Sequence, residues 1–374
     1  MEKLYLLVLV LLVLSFVPVF QSGGECKWIK RITYSSVNNG RPKLCISDGY
    51  IYVLWHRNGH LYLSKINTHI HSTLWTRQLT YSCYLDYLPD FCISGWYLYI
   101  VWERSVSGNY ELYAMKYNLS SLSVVWTKRL TYSSYNDYNP SICISGRYLY
   151  IVWQRYTNNY DIYLMKVDSL DGEVINTVQL SYYSGLDINP VICETNGWLY
   201  VVWARGNAYP QLVIAKLNTH EYPVSLKYTY QLTYTGSNNY PSIYESGGYI
   251  YITWQRYTGQ YDIMCMKYNT RDNSTVWVTQ LTSDTIKDAD PRGLVSDGYF
   301  YVTWVRYVTS DNPEIYLAKI DGRDGSVEWI SRLTYYSDID EEPEIIEDQG
   351  YIFMAWLRNA TVKEVHVMEV EGQG

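Results

Sequence analysis

Residues 147–167 read RYLYIVWQRYTNNYDIYLMKV, two runs of Tyr, Ile, Val and Leu with near-alternating polarity parted by a polar tip. The pattern predicts a β-hairpin, because strand side chains alternate between faces and aromatic or branched residues suit a pleated, half-buried surface. Its inner words return along the chain: a Trp, one residue, an Arg, a short loop and an acid before an apolar pair. Trp-x-Arg occurs seven times, at Trp55/Arg57, Trp102/Arg104, Trp153/Arg155, Trp203/Arg205, Trp254/Arg256, Trp304/Arg306 and Trp356/Arg358, spaced by 47 to 52 residues. A period of that size belongs to a solenoid, a propeller or an array.

The content of each unit selects among the three. Every unit holds four strand-like words and no helical periodicity; in the third they are SICIS, YLYIVWQR, DIYLMKV and INTVQLS. Gly-bearing turns such as SDGY, SGRY and TNGW join the first two words, supplying the positive φ a tight hairpin needs. Four antiparallel strands, A to D from the inside outward, make a propeller blade. The ends of the chain complement each other. The last unit stops after its third strand, EVHVMEVE, while WIKRIT (residues 28–33) matches the fourth-strand words WTRQLT, WTKRLT, WVTQLT and WISRLT. The expected fold is therefore all-β, a seven-bladed β-propeller over residues 25–374 whose N-terminal strand completes the last blade and leaves no open edge at the seam.

Composition agrees. With 374 residues, 48% of them hydrophobic, the chain can build a large core, and 43 Tyr and 14 Trp against 5 Phe suit sheet surfaces with one wet end. A net charge of -7 argues against nucleic acid or an anionic membrane as main partner, since both call for clustered Lys and Arg. Residues 1–24, MEKLYLLVLVLLVLSFVPVFQSGG, read as a secretory signal, the alternative being an uncleaved N-terminal anchor; a secreted or cell-surface location follows as an expectation. Cys45, Cys92, Cys143 and Cys193 hold one equivalent place that other units fill with Tyr244, Leu294 and Ile346, so they read as small packing residues. Cys26 and Cys83 remain as a candidate bridge.

Three recurrent features could carry chemistry. An acid opens strand C in five units (Glu111, Asp161, Asp262, Glu314, Glu364) and is expected to pair with the Arg of Trp-x-Arg across the hairpin, as a structural staple. An Asx stands three residues before the Pro of strand A: Asn39, Asp86, Asp137, Asp187, Asn238, Asp288 and Asp340. These read as turn formers or as a binding ring at the mouth of the central channel. Where acids crowd, Asp288, Asp290, Asp340 and Glu341 form a candidate Ca²⁺ set, since that ion takes six to eight oxygens. Lastly, the tips between strands B and C carry Tyr110, Tyr156, Tyr160, Tyr257 and Tyr261 among Asn, Gln, Gly and Ser, the composition of adaptable recognition surfaces. Nucleophile–base pairs, His clusters and phosphate loops are missing from the sequence, and the glycosylation triplets at Asn118, Asn273 and Asn359 suit an exported surface.

The unit RLTYSSYNDYNPSICISGRYLYIVWQRYTNNYDIYLMKVD resembles the TolB-type propeller repeat, in which a Leu-Thr pair, an Asp three residues before a Pro, a Gly turn and an Ile-Tyr strand recur in that order. The resemblance spans the chain after residue 24 and implies export and binding rather than one reaction. The sequence departs from it where SPDG would stand, and it lacks the sialidase Asp-box; DGRDGSVEW at 321–329 is faintly similar to quinoprotein propeller repeats. The expected function is a noncatalytic surface propeller that binds glycans, proteins or another copy of itself through its loop face. The alternative is a sialidase-like or other carbohydrate-active enzyme using acids at the channel mouth.

Overall fold

The computed structural model describes residues 26–221, 224–309, 312–335 and 337–371. The leader assigned to residues 1–24 lies outside them.

Seven four-stranded antiparallel sheets stand in a ring, with the first strands of neighbouring sheets in contact around the axis. In blade 2 the strands A to D are Leu85–Ser94, Tyr97–Val106, Asn109–Asn118 and Ser123–Arg129; in blade 3 they are Asn136–Ser145, Tyr148–Tyr156, Tyr160–Asp168 and Val174–Gln179. Strand D of blade 7 is the N-terminal strand Cys26–Arg31, which pairs with strand C of that blade, Lys363–Glu371, through registers such as Ile29↔Met368. The expected closure is the one observed. The A–B hairpins turn through pairs with positive φ, among them Asn196-Gly197 and Asp297-Gly298, as two-residue primed turns require.

The core lies between blades rather than within them. Each blade presents one face to each neighbour, so the strand B words, apolar on both faces, are buried throughout, and all seven Trp of Trp-x-Arg are nearly inaccessible. Truncating one such Trp to Ala would cost about 3–5 kcal/mol. In every blade the hydroxyl of the Leu-Thr word, or Ser181 in its place, accepts a strand C amide; Leu112 N donates to Thr131 Oγ1 at 2.9 Å. That bond extends the C–D ladder by one residue.

Lysines tie blade to blade on the face of the A–B turns. Lys116 Nζ lies 4.1 Å from the Tyr97 ring centre and donates to Ser169 O of the next blade at 3.0 Å. Lys166, Lys216 and Lys267 repeat the arrangement, reaching Thr219, Thr270 and Gly322. Burial lowers the pKa of these three. Blade 7 places Glu369 at this position.

All seven cysteines are free, and both Cys26 and Cys83 are exposed thiols, so the candidate bridge is not formed. Burial pushes the thiols of Cys45, Cys92, Cys143 and Cys193 up, in keeping with a packing role.

Candidate binding face at the channel mouth

The Asx ring does not open onto the channel. Asp86, Asp137, Asp187, Asp288 and Asp340 are fully buried within their own blades. Asp137 Oδ1 accepts the Trp153 indole N–H at 2.7 Å and Arg155 Nε at 2.7 Å, and Asp86, Asp187 and Asp340 make the same pair of bonds. Register explains it, because Asp137 stands directly opposite Arg155 on the neighbouring strand. Neutral Asx residues lose the guanidinium. Asn238 still accepts the Trp254 indole at 2.7 Å, but Arg256 turns to Gln280; where Asn39 occupies the place, Arg57 stacks on Tyr62. The five aspartates thus orient both the Trp and the Arg of Trp-x-Arg, Asn238 holds the indole alone, and Asn39 donates instead to Thr33 Oγ1 and Lys363 O.

The strand C acids consequently have other partners than expected. Glu111 pairs with Arg129 of strand D at 3.0 Å, Glu314 with Arg332 at 2.6 Å and Glu364 with Arg31 at 2.6 Å. Asp161 accepts the Ser181 hydroxyl and Asp262 accepts Gln280 Nε2. The staple exists, but it runs from C to D.

Nor are Asp288, Asp290, Asp340 and Glu341 brought together. Asp288 bonds Trp304 and Arg306, Asp340 bonds Trp356 and Arg358, Asp290 faces Arg41 at 3.8 Å, and Glu341 pairs with Lys363. Among the described residues no three His, Cys, Asp or Glu side chains converge as metal ligands.

The blades differ at three positions near the loop ends of their strands: the residue after the Asx, the residue inside Trp-x-Arg, and the residue before the strand C acid. Blade 2 has Tyr87, Glu103 and Tyr110, and blade 3 has Tyr138, Gln154 and Tyr160. Blade 4 has Ile188, Ala204 and Pro210, and blade 6 has Ala289, Val305 and Pro313. Aromatic rings therefore accumulate on one side of the mouth. His56, Tyr87, Tyr110, Tyr138, Tyr160 and Tyr156 form a continuous arc with successive centroids 5.5, 6.4, 5.0, 6.2 and 5.0 Å apart. Tyr110, Tyr156 and Tyr160 were expected from the tip sequences. Tyr87, Tyr138 and Glu103 were not, although lining up the seven units column by column exposes them as the places where repetition breaks.

The residue before each strand A Pro is αL in blades 2 to 7, and at Asn139, Asn189 and Asp290 this bulge points the amide at the preceding blade. The residue inside Trp-x-Arg meets that amide: Asn189 N donates to Gln154 Oε1 at 2.8 Å and Asn139 N to Glu103 Oε2 at 3.2 Å. Side-chain amides continue round the mouth, Asn139 Nδ2 donating to Asn189 Oδ1 at 3.1 Å and Asn189 Nδ2 to Asn239 Oδ1 at 2.9 Å. The opposite arc is ionic. Lys43 lies 2.8 Å and Arg292 3.0 Å from Glu344, and although burial works the other way, these cations hold that carboxyl at about 2.

Tyr257 and Tyr261 sit apart from the arc, 4.9 Å from each other, and Tyr257 lines a shallow depression of about 490 Å³ with Tyr209, Gln211 and Tyr234. Further out, the Leu-Thr-Tyr words present Tyr34, Tyr81, Tyr132, Tyr182, Tyr234 and Tyr335, each 69–79% exposed, around the same face. Arg129 stacks on Tyr132 at 4.5 Å, with Arg31 and Arg332 placed alike.

No protein-family model matches the chain, and no curated protein matches it by sequence. Solved structures do. A protein of unknown function from Dyadobacter fermentans DSM 18053 superposes with a TM-score of 0.57 at 8% identity, over 94% of this chain and 100% of that one. A neuraminidase-like protein from A/bat/Guatemala/164/2009 gives 0.53 at 11% identity, over 78% and 89%. Another, of A/little yellow-shouldered bat/Guatemala/060/2010, gives 0.51 at 13% identity, over 77% and 95%. At such identities the likeness is one of fold.

Proposed function

We propose that this propeller is a noncatalytic binding protein that takes a hydroxyl-rich ligand, a glycan or a glycan-bearing protein, on its loop face. The observation that carries the reading is the tyrosine arc of blades 2 and 3. It departs from sevenfold repetition, its rings are partly exposed, and it adjoins the neutral Asn139–Asn189–Asn239 ladder. Aromatic faces with neutral amides suit sugars, whose C–H faces stack on rings while their hydroxyls take amide hydrogen bonds. An exported, TolB-like location is part of the proposal and rests on the leader sequence and the repeat resemblance.

A second reading, a carbohydrate-active enzyme of sialidase-like type, is favoured by Glu103 alone: burial pushes its carboxyl up to about 7, the range a general acid needs. A glycan array and a glycosidase screen on the same preparation test both. Binding without turnover that Tyr110→Ala and Tyr138→Ala abolish supports the first reading. Turnover lost in Glu103→Gln replaces it with the second.

A further inference from the structure

Glu103 has no structural need of its charge. Its place inside Trp-x-Arg offers a side-chain oxygen to the αL amide of the next blade, and in blades 3 and 5 a neutral glutamine does this: Gln154 accepts Asn189 N at 2.8 Å and Gln255 accepts Asp290 N at 3.4 Å. Blade 2 uses a carboxylate for the same bond, although the site is only 5% exposed. Among the described residues, the Asn139 amide is its one hydrogen-bond donor and no Lys or Arg pairs with it. Burying an uncompensated carboxylate is costly, and a group of the opposite charge that arrives from outside would relieve that cost.

The walls around it suit such a group. Tyr87 lies opposite Glu103 on strand A, Tyr110 stands on the same hairpin, and Tyr138 and Tyr160 close the arc from blade 3. The other polar neighbours are neutral: Asn139 and Gln154 are amides, and burial holds the pKa of His56, beyond Tyr87, down at about 4. Aromatic faces over a carboxylate floor are how an ammonium group is recognised, the rings through their quadrupoles and the carboxylate through an ion pair in a weakly screening site.

We infer that Tyr87, Tyr110, Tyr138 and Tyr160 with Glu103 form a cage for an organic ammonium group carried by the ligand. The inference rests on the loop face being the ligand site, and it names the charge selected there. A proton must leave Glu103 for the ion pair to form, so binding strengthens as pH rises to about 8 and weakens towards about pH 6.

The test titrates the folded protein with tetramethylammonium and with neopentyl alcohol, its neutral analogue in shape, following tyrosine fluorescence. At about pH 8 the ammonium should bind at least about tenfold more tightly than the alcohol. Glu103→Gln, which copies the native Gln154, should fold with a melting temperature no lower than that of wild type, abolish that preference and flatten its pH dependence. Tyr138→Leu should weaken both probes, and Glu245→Gln, on the opposite face, should change nothing. Two further probes locate the ammonium: preference for a glucosamine trisaccharide over its N-acetylated form places it on an amino sugar, and preference for choline places it on a quaternary amine. Equal affinity for tetramethylammonium and the alcohol, a preference that survives Glu103→Gln, or no binding of tetramethylammonium at all would each overturn the inference. Neutral glycans that bind through the tyrosines in any of those cases leave the loop-face reading standing.

Discussion

Glu369 Oε2 accepts the indole N–H of Trp28 at 2.7 Å, so the strand that begins the described chain is bonded to the strand that ends it at the position where other blades carry the cation–π lysine. His71 of blade 1 approaches the same carboxylate at 3.2 Å and stacks on Trp28 with centroids 4.6 Å apart, so one acid gathers both sides of the seam. Glu369→Lys restores the repeat consensus, yet it should lower stability by about 1–3 kcal/mol, since a part-buried indole loses a charged acceptor. Deleting residues 25–34 removes the whole strand, exposes the edge of Lys363–Glu371 and should depress the melting temperature sharply. Thermal melts that match wild type for the deletion would break the closure.

The Asp137 carboxylate receives two donors at once, Trp153 and Arg155, in a site closed to water. Removing it strands a part-buried guanidinium and a buried indole N–H, so Asp137→Ala should cost about 2–4 kcal/mol. Asp161→Asn should cost under about 1 kcal/mol, because among the described residues Asp161 accepts only the Ser181 hydroxyl, which an amide oxygen can replace. Chemical denaturation of both variants checks the contrast, and equal losses would refute the division between an anchoring acid on strand A and a lesser one on strand C.

That division shows what was legible in the chain. Trp153, the Gly turns and the WIKRIT word specify blades and closure because period-two polarity and turn chemistry are local and need no knowledge of distant contacts. Arg155, by contrast, has an acid opposite it on both sides, Asp137 and Asp161, and sequence offers no means of choosing. Trp153 decides it in three dimensions, since an acceptor on strand A can serve the indole and the guanidinium together. Glu103 was hidden for another reason. A polar residue between Trp102 and Arg104 reads as solvent-facing, whereas in the fold it lies opposite Tyr87 and takes the amide that the αL bulge at Asn139 brings from the neighbouring blade.

Glu103 also makes a signed prediction about stability. Burial raises its pKa from 4.5 to about 7, so the folded protein holds this proton where the unfolded chain has released it. Stability from this group is then fully present below the ordinary glutamate range, falls as pH rises and is lost above about 7, by on the order of 3 kcal/mol in all. Glu103→Gln keeps the bond from Asn139 and has no proton to lose. The variant should therefore match wild type at about pH 4, exceed it increasingly towards neutrality and keep a constant advantage above about pH 8. Urea denaturation of the two proteins across that range, read as a difference, cancels the other carboxylates. An advantage that is flat with pH would mean that Glu103 is solvated and ionised throughout, and a variant less stable than wild type at high pH would mean that a cation of the protein already neutralises it.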